Sequence, residues 1–223
     1  MPRPFQIAGL IVFYSILSYS QTESAPVVTF TVDFPGSQPE HYSIRVQSDG
    51  PAHYESSGRL ASDSDETDSH DKDSFDFDFA VAPETRQKIF ELAAKAGYFQ
   101  KDVDSRHKGL AFTGKKTLSY KDARRSGESN YNYSSNPAVQ DLTTLLQSLA
   151  STLEFGHRLQ YDRHYQKLAL DEELKRMEGM ARSNELVEVT AIQPILDEII
   201  ADQSVINVTR ARAQRLLERA GVH

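Results

Sequence analysis

The sequence predicts an α+β protein: an antiparallel sheet with two helices on one face, followed by an α-helical unit of about three helices. Three observations lead to this prediction. Short segments that alternate apolar and polar residues occupy much of the first half of the chain, between turn-forming residues. Two segments with helical apolar spacing accompany them. From about Gly156 onward, helical spacing continues with little strand pattern.

The strand predictions come first along the chain. Residues 27–34 and 41–47 alternate apolar and polar side chains, as half-buried strands do. The sequence at 48–51 supplies a turn before a further extended segment at 52–55. Residues 75–81 alternate strictly, so that three phenylalanines share one face and two aspartates the other. This pattern is typical of an antiparallel sheet with one covered face.

Two helices and one more stretch of strand complete the first unit. Pro83 is suited to the first turn of a helix that Gly97 can end. The apolar stripe of this helix consists of Ile89, Leu92, Ala93 and Ala96. Residues 110–120 predict a strand pair or one bulged strand. Asn136 and Pro137 then begin a second helix, whose inward residues are Val139, Leu142, Leu145, Leu146 and Leu149.

Three further helices are predicted in the remainder. One runs from Tyr161 to Ala181, and a second carries apolar residues between Leu186 and Ile199, with Pro194 at a kink or start. A third is predicted to begin after a cap at residues 202–204. Its outer face carries a basic stripe: Arg212, Arg215 and Arg219.

The first twenty residues predict export. Arg3 precedes an apolar run at 7–17, which is too short for a membrane span, and Ser18 and Ser20 are small residues suited to a signal-peptidase site. We therefore divide the chain into a signal peptide at 1–20, an α+β domain at 21–154 and a helical region at 155–223. The predicted location is periplasmic or extracellular, with no membrane span after cleavage.

Composition excludes several chemistries. The chain has 223 residues and no cysteine, which removes disulfides, thiolate catalysis and cysteine-ligated metals. Its net charge of -7 argues against broad nucleic-acid binding. A region at about 61–74 is rich in carboxylates and almost free of apolar residues, and it predicts an exposed, disordered acidic loop. Weak calcium binding there would use five carboxylates: Asp63, Asp65, Asp68, Asp71 and Asp73.

No complete catalytic or cofactor motif is present. Gly109 to Lys115 has the glycine and lysine spacing of a P-loop, but Lys116 stands where a hydroxyl residue is needed, and the following segment is strand-like. The chain contains no G-x-S-x-G and no H-E-x-x-H sequence. We expect no cofactor. Triads are recognised by geometry, so the sequence leaves a hydrolase open.

Two resemblances can be stated. Tyr42, Ile44, Asp49-Gly50, Tyr54 and Tyr98-Phe99 make residues 27–154 similar to a family of small exported bacterial domains of unknown function, although the cysteine pair of many members is absent here. The resemblance implies a fold and assigns no catalytic residue.

The second resemblance concerns the C-terminal helices. Residues 202–216 resemble the second helix of a HEAT-type repeat. One such unit cannot form a solenoid, which needs about three repeats, so this similarity indicates an ordinary helix hairpin.

The sequence favours an exported, non-enzymatic interaction or structural protein whose partner is an envelope or extracellular protein. Residues 126–136 have the composition of a recognition loop, with Tyr131 and Tyr133 among small polar residues. These tyrosines and the basic stripe are the candidate partner-binding residues. Two alternatives stay open: a hydrolase whose site is assembled only in three dimensions, and a weak calcium-responsive module that uses the acidic loop.

Overall fold

A six-stranded antiparallel sheet forms the first part of the structure, a computed structural model that describes residues 25–58 and 73–222. The strands are β1 (Val27–Asp33), β2 (His41–Gln47), β3 (Pro51–Gly58), β4 (Asp73–Ala80), β5 (Lys115–Lys121) and β6 (Ser126–Tyr131). Their order in the sheet is β4-β3-β2-β1-β5-β6. The first four strands therefore form a meander, and the later hairpin adds beside β1.

One face of the sheet is covered and the other is polar. In β1, Val28, Phe30 and Val32 are buried, while Thr29 and Thr31 lie on the open face. The same alternation continues through the neighbouring strands, because the ladders place residues of like orientation opposite one another. The alternation that predicted the strands is thus the division between the core and solvent.

Five helices in the described part of the chain accompany the sheet, which confirms the predicted α+β class. They are α1 (Pro83–Lys95), α2 (Pro137–Tyr165), α3 (Ala169–Arg182), α4 (Gln193–Ala201) and α5 (Asn207–Arg219). Short 3-10 helices lie at Gly97–Phe99 and Val189–Ile192. Among the residues that the structure describes, no helix is both long enough and apolar enough to cross a lipid bilayer.

Helix α2 joins the sheet to the other helices. It has 29 residues and passes without a break through positions 154 and 155, where the sequence placed a domain boundary. The side chain of Asn136 caps it by accepting a hydrogen bond from the Ala138 backbone N–H at 3.0 Å. The helix contacts α1, β2, α3 and α4. Its buried face is therefore part of one apolar core that spans the sheet and the helical region.

Three local predictions were wrong. The helix expected from Tyr161 to Ala181 is broken between α2 and α3, where the chain reverses so that α3 packs against α2. Helix α5 begins at Asn207, because the Asp202 carboxylate accepts from the Ser204 backbone N–H in a local turn instead of capping a helix. Residues 126–131, expected in a loop, form strand β6.

Candidate functional site

The two tyrosines proposed for partner binding lie in different environments. Tyr131 ends β6, is only 4% exposed, and contacts the Thr143 hydroxyl of α2. Tyr133 is 40% exposed. The difference follows from the strand pairing of 126–131, which turns Tyr131 into the core. Of the pair, only Tyr133 has a substantial part of its surface accessible.

A surface that the sequence reasoning missed lies beside Tyr133. Leu110 and Phe112 are exposed on the segment before β5, and Lys108 is exposed next to them. We call Tyr133, Leu110, Phe112 and Lys108 together the loop surface. The strand predicted at 110–120 would bury every second side chain of this segment. In the structure, β5 begins only at Lys115. The signal that could have placed it is the pair of glycines at 109 and 114, which favours a loop.

The basic stripe of α5 is engaged within the chain. Arg212 binds Asp171 at 2.9 Å and Glu178 at 2.7 Å, both on α3. Arg215 also binds Glu178, at 2.9 Å. These bonds explain how α3 and α5 pack side by side, and they give Arg212 and Arg215 a role inside the fold. Arg219 lies in the last turn of α5.

Four large apolar side chains are exposed at one end of the helical region, and we call them the helical-end patch: Tyr165, Leu168, Ile206 and Val208. Tyr165 and Leu168 are 75% and 89% exposed at the turn between α2 and α3. Lys167 Nζ binds Asp202 at 3.0 Å and so links this turn to the segment before α5. Sequence reasoning missed the patch because it placed Leu168 inside a continuous helix.

Glu154 is the centre of a buried polar cluster. Tyr54 Oη donates a 2.6 Å hydrogen bond to Glu154 Oε1, and His157 Nδ1 lies 3.7 Å from Oε2. The ring of His157 stacks on Phe75, with 4.4 Å between centroids. Burial alone would raise the pKa of Glu154, but hydrogen bonds from His157, Ser56 and Tyr54 outweigh it. The pKa of this carboxyl is therefore lowered.

The cluster holds the residue types of a hydrolytic triad in a different order. In a triad, the histidine contacts the nucleophilic hydroxyl and accepts its proton. Here the Glu154 carboxylate stands between the His157 ring and the hydroxyls of Tyr54 and Ser56. Burial and the nearby carboxylate also hold the pKa of Tyr54 well above its ordinary value. Tyr54 and Ser56 thus direct their hydroxyls at a carboxylate, where the nucleophile of a triad would face the histidine.

A cavity of about 320 Å³ opens beside the cluster. Tyr54 and Glu154 line its buried end, while Gln147 and Arg176 line its exposed end. The volume is near the lower limit for small-molecule sites. Burial raises the pKa of Tyr42, another lining residue, above its ordinary value. The tyrosine hydroxyls of the cavity are therefore neutral hydrogen-bonding groups at physiological pH.

A second group of buried charges lies farther along α2. Arg158 and Arg176 both bind Glu173 of α3, and Arg176 does so at 2.7 Å. Asp162 is 4% exposed, and its Oδ1 has no hydrogen-bond partner among the described residues. Burial raises the pKa of Asp162 most, and the negative charge of Glu173 raises it further. The two arginines lower it, and the resulting pKa is about 6.

The calcium prediction cannot be placed on this structure. Four of its candidate ligands lie outside the described residues: Asp63, Asp65, Asp68 and Asp71. Asp73 is described through its backbone, as the first residue of β4. Within residues 25–58 and 73–222, no group of three histidine, aspartate or glutamate side chains is arranged to hold a metal ion.

Comparison with known proteins adds no relative. No protein-family model matches the chain, and no curated protein matches it significantly.

Proposed function

We propose that this protein is an exported, non-enzymatic interaction protein that binds an envelope or extracellular protein through the helical-end patch. The exposure of that patch carries the proposal. Large apolar side chains grouped at an ordered surface are typical of protein contact sites. If a partner covers them, the free energy of binding becomes more favourable by about 25 cal/mol for each Å² of apolar surface removed from water.

Two features make these side chains available to a partner. The turn between α2 and α3 leaves Leu168 nearly fully exposed, and Ile206 precedes the first turn of α5, where it is 56% exposed. Lys167, which binds Asp202, fixes the two segments relative to each other. A fixed surface loses little conformational entropy when it is covered.

Export rests on the sequence of the first twenty residues. A basic residue, a short apolar run and small residues at 18 and 20 are typical of a signal peptide. The absence of cysteine is compatible with an oxidising compartment, because no unwanted disulfide can form.

The cavity is the one observation that favours the hydrolase alternative, because titratable groups converge on it. The order of contacts around Glu154 weighs against that alternative, since the Glu154 carboxylate accepts the hydrogen bond of the Tyr54 hydroxyl and also faces the His157 ring. An interaction protein accounts for the exposed apolar groups, which a hydrolase leaves unexplained.

Photo-crosslinking in the envelope fraction of the native host tests the proposal. A photoreactive amino acid at Leu168 or Ile206 should capture one defined protein, whereas the same group at Gln87, on the exposed side of α1, should not. The double variant L168E/I206E should abolish capture from a reactive group at Val208. Its melting temperature should stay close to that of the wild type, because both replaced side chains lie outside the core.

Two results would contradict this proposal. Equal capture at Gln87 would mean that the crosslinks report random encounters. Unchanged capture by L168E/I206E would mean that apolar contact at the helical-end patch does not hold the partner.

A further inference from the structure

Residues 103–113, which precede β5, form an ordered loop that hydrogen bonds hold against β6 and the residues after it. The Val103 backbone N–H donates to Ser129 Oγ at 3.0 Å, and the Ser105 backbone N–H donates to the Tyr133 carbonyl oxygen at 2.9 Å. Farther along, the side chain of Asn132 accepts from the Thr113 backbone N–H and donates to a carbonyl of the loop. The loop is therefore fixed to the strand hairpin along much of its length.

The tip of this loop projects apolar side chains into solvent. Every residue from 106 to 113 is exposed. Gly109 and Gly114 have φ angles of +90° and +92°, a conformation that favours glycine, and they bend the chain on either side of the tip. Leu110 is 49% exposed and Phe112 is 59% exposed. Leu110 is thus half exposed between the two turns, and Phe112 is largely exposed although its ring also contacts that of Phe34, with 5.8 Å between centroids.

A buried lysine supports the base of the tip. Lys116 Nζ donates to the carbonyl oxygens of Thr113, Gly114 and Asn132, at 3.2, 3.4 and 3.1 Å. These bonds join the end of the tip to the chain that follows β6. The exposure of Leu110 and Phe112 is therefore a property of an anchored loop.

The tip is also basic, although the chain as a whole is acidic. Residues 106–121 contain no aspartate or glutamate, while the net charge of the chain is -7. Arg106 is paired with Asp102. Lys108 and Lys115 are exposed on either side of the apolar pair and form no ion pair with the described residues. Lys115 lies opposite Asp33 in the β1–β5 ladder, so the net positive charge beside the two apolar side chains comes mainly from Lys108.

We propose that this tip docks on an anionic lipid surface, with Leu110 and Phe112 in the interfacial region and Lys108 and Lys115 against the headgroups. Apolar side chains combined with flanking cations are what an anionic interface binds. A specific protein interface needs about 800 Å² from each partner. A tip with two large apolar residues offers little towards that area, whereas it is sufficient for shallow insertion into lipid.

Lipid docking is independent of the proposed protein partner. The tip belongs to the loop before β5, whereas the helical-end patch is formed by the turn after α2 and the start of α5. The tip would orient the protein at a membrane, and the helical-end patch would stay available to another protein.

The absence of tryptophan from the chain provides a direct test with the full-length protein. The variant F112W places a single tryptophan at the tip, and Y165W places one at the helical-end patch as the matched control. With vesicles of phosphatidylglycerol and phosphatidylcholine, F112W emission should shift to shorter wavelength and be quenched by brominated lipid. Y165W emission should do neither, even if the N-terminal segment also binds the vesicles.

Two further variants test the chemistry. In the F112W background, K108E/K115E should lower the affinity for anionic vesicles at least about tenfold, since each cation near such a surface contributes about 1 kcal/mol. L110S should reduce the blue shift. L110S should melt like the parent, because the replaced side chain is exposed, whereas K108E/K115E should melt somewhat lower, because it places a glutamate opposite Asp33. High salt should weaken binding, and vesicles of phosphatidylcholine alone should bind poorly.

Three outcomes would overturn the lipid proposal. The first is F112W emission that does not change with anionic vesicles. The second is an equal shift with neutral vesicles that the lysine replacements leave unaffected. The third combines two results: F112W emission does not change with lipid, and a photoreactive group at position 110 captures a protein. This combination would assign the tip to a protein partner.

Discussion

Replacement of Gly127 by alanine is expected to destabilise the protein by about 3 kcal/mol, because there is no space for an added Cβ. Gly127 lies in β6 opposite Tyr120. A Cβ at this position would be 2.2 Å from the carbonyl oxygen of Tyr98 and 2.9 Å from the backbone nitrogen of Gln100. Both are backbone atoms, so neither can rotate away as a side chain could. The strand or the 3-10 helix beside it would have to move.

The segment that Gly127 accommodates has little freedom to move. Tyr98 and Phe99 have φ angles of 55° and 57°, which cost non-glycine residues on the order of 1–3 kcal/mol each. Phe99 is buried in the core, and the guanidinium of Arg125 lies 4.0 Å from the centre of the Tyr98 ring. These contacts hold the left-handed conformation in place. Moving the segment away from β6 would also break these contacts of Tyr98 and Phe99.

Gly179 provides the matched control. It lies within α3, and a Cβ there would meet no atom within 4 Å. Alanine in a helix interior is favoured over glycine by up to about 1 kcal/mol, so G179A should raise the midpoint of urea unfolding while G127A lowers it. A G127A midpoint equal to that of the wild type would contradict the close backbone approach.

The strands and the first two helix starts could be predicted because local pattern determines them. Residues 41–47 alternate because one face of β2 meets the core, and the observed strand has these bounds. The starts of α1 and α2 follow from Pro83 and from the cap and proline at 136 and 137. Each of these signals lies within a few residues of the feature it predicts.

The candidate sites depend on contacts between distant parts of the chain. Glu154 meets Tyr54 across 100 positions, and no local pattern in α2 indicates that its carboxylate is buried. The change to purely helical patterns from about Gly156 onward predicts a boundary near 154, and it gives no sign that α2 continues through that position. In the structure this glycine lies against Ile192, where a Cβ would come within 2.7 Å of the Ile192 side chain. A tertiary contact, and not a helix end, therefore accounts for it.

Replacement of Asp162 by asparagine is expected to stabilise the protein by about 2 kcal/mol at pH 7.5. The buried carboxyl has a pKa of about 6 in the folded state, against an ordinary value of 3.8 for an aspartate. Between these values the folded protein binds more protons than the unfolded chain. Stability from this group is therefore full below about pH 4 and declines as the pH rises to about 6. The amide cannot ionise, so D162N should lose this decline.

Glu154 should show the opposite dependence on pH. Its pKa is lowered in the folded state, so its stabilising effect is present at neutral pH and is lost as the pH falls below the ordinary range of a glutamate. E154Q should be less stable than the wild type at pH 7.5 by on the order of 1–3 kcal/mol, because an amide cannot accept all the hydrogen bonds that the carboxylate accepts. The difference should shrink at pH 3.

Urea unfolding of the wild type and both variants at several pH values separates the two effects. The stability gain of D162N should be largest above pH 6 and absent near pH 3.5, whereas the loss in E154Q should be largest at neutral pH. The two acids lie eight positions apart on α2, so a general change in net charge would move both variants in the same direction. Parallel pH profiles would therefore contradict the assignment of a raised pKa to the buried Asp162 and a lowered pKa to the hydrogen-bonded Glu154.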